Sequence, residues 1–301
     1  MNKLIPIFLV MAIILTGCTT PALPQSTKYI DTCVDPNSWV LVPAGDFYYG
    51  IHSKVVSLDE DYEIMVTHVT NAQYAEYLNQ ALESGDLKLQ DGEILGYYPG
   101  EPFDGYKHEE LIDARDYLHY PIQDPGTRLV MKDGKVTPLP GYENHPVALV
   151  TWFGANAYCN AMGARLPTEM EWEKAARGVD ERAYPWGDTI ERNRANFYAS
   201  RDVFESIMGK GGETTPVGYY DGSIRDGYQT LDNASPYGVV DMAGNLWQWT
   251  GDDYEKTHDR YLRGGSKADY GYNLRVWTRN SAPPAYSSIN VGFRCVRTPA
   301  P

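Results

Sequence analysis

Positive charge is in short supply in this chain. Lysine and arginine number 26 against 40 aspartates and glutamates, a formal net charge of −14. A nucleic-acid surface needs a basic stripe to displace counterions from phosphate, and none is present, so nucleic acid is excluded as a partner. Cysteine is scarcer still, with four in 301 residues and none between Cys159 and Cys295. That scatter excludes a close-spaced zinc cluster. There is no phosphate loop, no HExxH and no recognisable pairing of nucleophile with base. Phenylalanine is rare, 7 residues against 24 tyrosines and 7 tryptophans. Aromatics with a polar handle therefore predominate, as in loop-rich domains whose rings sit half-buried.

At the N-terminus, Lys3 precedes an apolar run, Leu4 to Leu15, too short to span a bilayer as a helix with normal flanks. The run ends in Leu15-Thr16-Gly17-Cys18, which resembles a bacterial lipobox. The expectation is a signal peptide over residues 1–17, acylation of Cys18, and a Pro/Thr-rich tether over 18–38. Thr19 after the cysteine favours sorting to the outer membrane or cell surface. An exported chain has an oxidising environment, so one pair among Cys33, Cys159 and Cys295 is expected, with one thiol left over. Spacing alone does not choose the pair.

The remaining residues, 39–299, read as one domain of α+β class. Val40 to Tyr49 predicts strand, Pro-Ala-Gly turn, strand. Thr70-Asn71-Ala72-Gln73 is a capping box opening a helix over Asn71 to about Leu82. A second helix runs from about Trp152 to Met162 and stops at Gly163. A third follows the N-cap Thr168 and ends at Gly178. Residues 84–144 predict an irregular insertion with a hairpin at Asp133-Gly134. Beyond Tyr184, short strands are expected around Tyr237–Asp241, Trp247–Thr250, Arg263–Gly265 and Gly292–Val296.

The last stretch, 264–295, carries the functional signal. Between Arg263-Gly264-Gly265-Ser266 and Gly292-Phe293-Arg294-Cys295 lie mostly tyrosine, serine, asparagine and small residues. Such residues favour rigid display surfaces, because tyrosine gives contact area at little rotamer cost and serine and asparagine adapt their hydrogen bonds. The expected aromatic contacts are Tyr270, Tyr272, Trp277 and Tyr286; Asp269, Thr278, Ser281, Ser287, Ser288 and Ile289 complete the set.

Several ordered motifs carry a resemblance. They are Thr67-His68-Val69-Thr70-Asn71, His145-Pro146-Val147, Arg165-Leu166-Pro167-Thr168-Glu169 through Glu173, Tyr184-Pro185-Trp186-Gly187 and Ala195-Asn196. Tyr237-Gly238-Val239-Val240-Asp241 through Trp249, Arg263–Ser266 and Gly292–Cys295 follow. In this order over 39–297 they resemble the sulfatase-modifying-factor family, the formylglycine-generating enzymes and their relatives. The resemblance implies a C-type-lectin-like core and a Cys159–Cys295 disulfide. Physically, Arg165 with Glu171 predicts a buried ion pair, and Trp172, Trp186, Trp247 and Trp249 predict core rings.

The family's oxidases hold copper between two cysteines shortly after Gly-Gly-Ser. The matching positions are Asp269 and Leu274, which cannot form a soft bis-thiolate site. Relatives with histidine-bound iron need a cluster that the six histidines do not make; His68 and His145 read as core residues. The resemblance also implies a candidate calcium site at Asp241, Gly244, Leu246 and Gln248, the last replacing a glutamate. A second group of this fold, the variable proteins of diversity-generating retroelements, is similar in its lipid signal and C-terminal segment. There, randomised adenines turn asparagine codons into residue types that fill 268–289 here between the fixed-looking Asn273-Leu274-Arg275-Val276 and Arg279-Asn280; Lys267 and Trp277 do not arise that way. The expectation is a surface lipoprotein that is not an enzyme and binds a protein or glycan. The alternatives are a divergent oxidoreductase of the formylglycine-generating type and a structural envelope lipoprotein.

Overall fold

The computed structural model describes residues 27–102, 111–205, 212–225, 227–255 and 257–300. The expected signal peptide, Cys18 and the first part of the tether lie outside the described residues. Strands β1 (Trp39–Val42) and β2 (Gly45–Tyr49) flank the expected turn, β3 (Lys54–Leu58) pairs with β2, and β4 (Tyr62–Met65) returns against β1. Helix α1 (Asn71–Ser84) opens on the complete capping box of Thr70 and Gln73 and ends at left-handed Gly85.

The insertion is more regular than its composition predicts. It forms a three-stranded sheet, β5 (Leu87–Gln90), β6 (Glu93–Tyr98) and β7 (Arg115–Tyr120). The expected hairpin follows, β8 (Leu129–Lys132) and β9 (Lys135–Pro138), turning at Asp133 and Gly134, both at positive φ. Its strands pack onto the domain rather than floating over it: Tyr117 stacks on Phe153 at 4.0 Å, and Asn79 on α1 bonds both backbone groups of Val136. Partial burial by the helices supplies what weak sequence periodicity hid.

Helices α2 (Trp152–Ala161) and α3 (Glu169–Arg177) start at the N-caps Thr151 and Thr168. After a small hairpin, β10 (Ile224–Arg225) and β11 (Tyr228–Gln229), come β12 (Trp247–Asp253), β13 (Arg260–Arg263), β14 (Arg279–Ala282) and β15 (Val291–Gly292). These four form one sheet in the order β14-β13-β12-β15. The last strand, β16 (Val296–Arg297), pairs with β4, so the two ends of the domain share a sheet. The expected strand at Tyr237–Asp241 is instead a turn, held by Gly238 N to Ser235 O and Ser235 N to Val239 O. Between β15 and β16, Phe293 to Cys295 leave strand geometry, and Cys295 bonds Cys159 on α2. Among the described residues Cys33 is the free thiol, and it is exposed.

The core centres on Tyr74, Tyr158, Phe293 and Trp249. Trp172 and Trp249 are fully buried, Trp247 nearly so, and Trp186 half-buried and stacked on Tyr184. Arg165 departs from expectation: it does pair with Glu171, but half of its side chain is exposed. Arg263, Glu173, Arg177 and Glu169 form a deeply buried ionic cluster.

Candidate functional site

Strand β13 delivers Arg263 into the interior, where it sets the geometry of everything downstream. Its guanidinium pairs with Glu169 and with Glu173 at 2.6 Å, and it also donates to the carbonyl of Val276. Arg279 reaches Glu169 at 2.8 Å and Arg177 reaches Glu173 at 3.2 Å. Buried charges are tolerable only when paired in this way. One α3 cluster thus clamps both ends of the loop between β13 and β14.

Gly264 and Gly265, at φ 95° and 71°, turn the chain out of the sheet. A Cβ on Gly265 would lie 2.8 Å from Leu274 and 3.0 Å from the Asn273 carbonyl, so the turn requires glycine. Ser266 and Lys267 follow, both buried. The Lys267 ammonium donates to the Ile289 carbonyl and, at 2.8 Å, to Asn290 Oδ1, tying the start of the segment to its end. Burial pushes this lysine down to about 8; Arg128 adds to the fall, while Glu213 and Asp269 oppose it.

Asp269, expected as a ligand contact, is the hub of the floor. Its Oδ2 accepts from Trp247 Nε1 at 2.8 Å, Ser266 N at 3.0 Å and Ser266 Oγ at 2.6 Å; its Oδ1 accepts from Asn273 Nδ2 at 2.9 Å. Leu274, at the other position matching a family thiol, is buried among Tyr184, Ala195, Phe197 and Ala243.

Above this floor opens a pocket of about 350 Å³. Of the expected contacts, Asp269, Ser281, Tyr286 and Ser288 line it, together with Asn280, Asn290 and the Trp247 indole. Tyr270, Tyr272 and Ile289 do not line it but are exposed, at 64%, 60% and 42%, with Tyr286 at 45%. Thr278 and Ser287 are half-buried, and Thr278 Oγ1 donates to the Tyr272 carbonyl at 3.2 Å. Trp277 stands apart: it packs on the cluster around Trp172, 5.1 Å beneath the Arg177 guanidinium. Sequence reasoning missed Tyr198, whose exposed ring lies 4.8 Å from Tyr270 and whose N–H bonds the Asp269 carbonyl. No local pattern marks it, because its partner is 72 residues away.

The candidate calcium donors are engaged elsewhere. Asp241 accepts from Gly218 N at 2.7 Å and Asn233 Nδ2 at 2.9 Å, and burial pushes its carboxyl above the usual range. Gln248 Oε1 accepts from Arg294 Nε at 2.6 Å and Trp172 Nε1 at 2.9 Å. The Leu246 carbonyl faces His68 Nε2 at 3.3 Å; Gly244 supplies a left-handed turn whose N–H bonds Gly264 O. A cation at Gln248 would displace a buried guanidinium, so this donor set does not fit calcium. Burial also lowers His68, His119 to about 4 and His145 to about 3, so all three are neutral core imidazoles at pH 7.

Serine/threonine-protein kinase pkn1 of Chlamydia caviae is 32% identical over 76% of this chain and 32% of its own length. The inactive Cα-formylglycine-generating enzyme 2 of Mus musculus is 37% identical over 50% of this chain and 48% of its own. The formylglycine-generating enzyme of Streptomyces coelicolor is 30% identical over 78% and 77%. The chain therefore spans about a third to a half of the first of these relatives. Among solved structures, PvdO from Pseudomonas aeruginosa superposes with a TM-score of 0.56 at 20% identity, covering 91% of this chain and 99% of that one. Treponema denticola variable protein 1 gives 0.52 at 18%, covering 88% and 98%. Both share the fold, the C-type-lectin-like fold of formylglycine-generating enzymes that the motifs implied. Residues 27–299 match the model of the sulfatase-modifying factor enzyme 1-like domain, and to that family the chain belongs.

Proposed function

We propose that this domain binds a ligand through the face built by residues 264–295 and does not carry out the family's cysteine oxidation. One observation carries the reading. The two positions matching the family's copper thiols hold a carboxylate that four donors already engage and a leucine sealed in a cluster. Neither offers a soft ligand. Aerobic incubation of the full chain with copper and a cysteine-containing peptide is expected to give no aldehyde, and aldehyde formation would overturn the reading.

The segment also fits the diversified design. Four residues of the types that adenine randomisation produces, Tyr270, Tyr272, Tyr286 and Ile289, are exposed, while Asp269, Thr278, Ser281, Ser287 and Ser288 are half-buried. The residues that do not fit, Lys267 and Trp277, are buried or half-buried. The name of the Treponema structure is in keeping with this, although that likeness is one of fold. With the Leu15–Cys18 lipobox, the reading is of a lipid-anchored protein displaying its binding face at the outer membrane or cell surface. Sequencing codons 267–290 across a cultured population tests it: variation at exposed positions only is expected, and an invariant segment leaves a binder of fixed specificity.

A further inference from the structure

The pocket over Trp247 has a chemical character that narrows its ligand. Among the described residues, Asp269 is the sole charged side chain that lines it. Four donors already engage that carboxylate, three at Oδ2 and one at Oδ1, so an incoming cation would have to compete with them for it. An anion would be stripped of water without a basic partner at the lining. Charged ligands are therefore disfavoured in both signs.

What the pocket presents is a mixture of short donors and acceptors. Asn280 Oδ1 accepts from Ser281 N at 2.9 Å and Asn290 Oδ1 from Lys267 Nζ at 2.8 Å. Each amide thus has its oxygen engaged, and its NH2 has no protein partner among the described residues. Ser281 Oγ–H donates to Asp259 Oδ2 at 3.0 Å, which leaves the hydroxyl only its lone pairs to accept with. Ser288 Oγ accepts from Asn290 N at 3.2 Å and keeps its proton to donate. Beside them stand the exposed ring of Tyr286 and an apolar floor of Leu262, Ala282 and Val291.

We propose that this pocket is a subsite for one neutral pyranose ring, its hydroxyls meeting Asn280, Asn290, Ser281 and Ser288 and its C–H face lying on Tyr286. The proposal rests on the binding role assigned above to this face. A sugar ring alternates groups that both donate and accept with an apolar face, which is the alternation of the lining. Its size fits as well, since 350 Å³ lies at the lower end of the roughly 300–1,000 Å³ typical of small-ligand pockets.

Saturation-transfer NMR on the full chain tests it with neutral methyl hexopyranosides, with glucuronate and a blocked, uncharged tripeptide as counter-probes. Transfer to ring protons of at least one methyl hexoside is expected, falling fivefold or more in both Tyr286→Ala and Asn280→Ala with the unfolding midpoint unchanged. A soluble glycoside and the end of a glycan chain share this chemistry. Repeating the measurement with an oligosaccharide on a carrier protein separates the two, and binding of either supports the subsite. Three results overturn it: no response to any hexoside, an equal response to glucuronate, or a response to the tripeptide alone. None of these coincides with failure of the binding reading itself, which is the appearance of aldehyde from a cysteine peptide.

Discussion

Inward and outward side chains of residues 263–295 are held by different forces. Arg263, Lys267, Leu274, Val276 and Arg294 are almost wholly buried, and each has several named partners or a packed cluster around it. Tyr270, Tyr272, Tyr286 and Ile289 are largely exposed; apart from the Tyr198 contact and a guanidinium 4.6 Å over Tyr272, little holds the three tyrosine rings. The difference teaches that the backbone of the display face is set from below. Its path is determined by buried ions and two glycines, so the outward positions can change without moving it.

The largest effect should come from the ion cluster. Arg263→Ala leaves Glu169 and Glu173 buried with one fewer cation and removes the donor to Val276. Removing one partner of a buried pair costs about 3–5 kcal/mol, so chemical denaturation should show a loss of that order. Loss below about 1 kcal/mol would mean that the loop is positioned by packing alone.

How far this division was legible beforehand depends on the range of each interaction. Helix starts were legible because Thr70 with Gln73, and Thr168 with Glu171, are local hydrogen-bonding patterns. The Asp133-Gly134 hairpin was legible for the same reason. The sheet of the insertion was not, since β5 to β7 gain their register from one another and from the helices beneath. Within the site, Asp269 reads as a polar contact in sequence, and only the approach of Trp247, 22 residues earlier, reveals it as a hub. Trp277 misleads in the opposite direction: an aromatic in a display segment turns inward because Arg177 and the Trp172 cluster receive it.

Lys267 sharpens the comparison through pH. Its folded value of about 8 lies below the ordinary 10.5, so between those values the unfolded chain binds more protons than the folded one. Stability therefore rises with pH across that window, as the penalty for burying an ammonium is relieved. Between pH 7 and pH 10 the wild type should gain roughly 2 to 3 kcal/mol relative to Lys267→Met, at 1.36 kcal/mol per pKa unit. Parallel denaturation curves for the two proteins at both pH values would show that this side chain is not buried as described.

The smallest expected effect is the most telling, because it separates surface from scaffold within one loop. Asp269→Ala strands the Trp247 and Asn273 donors as well as those of Ser266, and should cost about 2 kcal/mol, in the range for lost hydrogen bonds to a charged group. Changing Tyr270, Tyr272 and Tyr286 together to Ala removes rings that are mostly in water and should shift stability by under about 1 kcal/mol in total. The two residues Asp269 and Tyr270 are adjacent, so solvent, fold and loop length are held constant in the pairing. If the triple variant proved the less stable of the two, the tyrosines would be part of the support. The outward population would then lose its freedom to vary, and with it the physical basis for a diversified face.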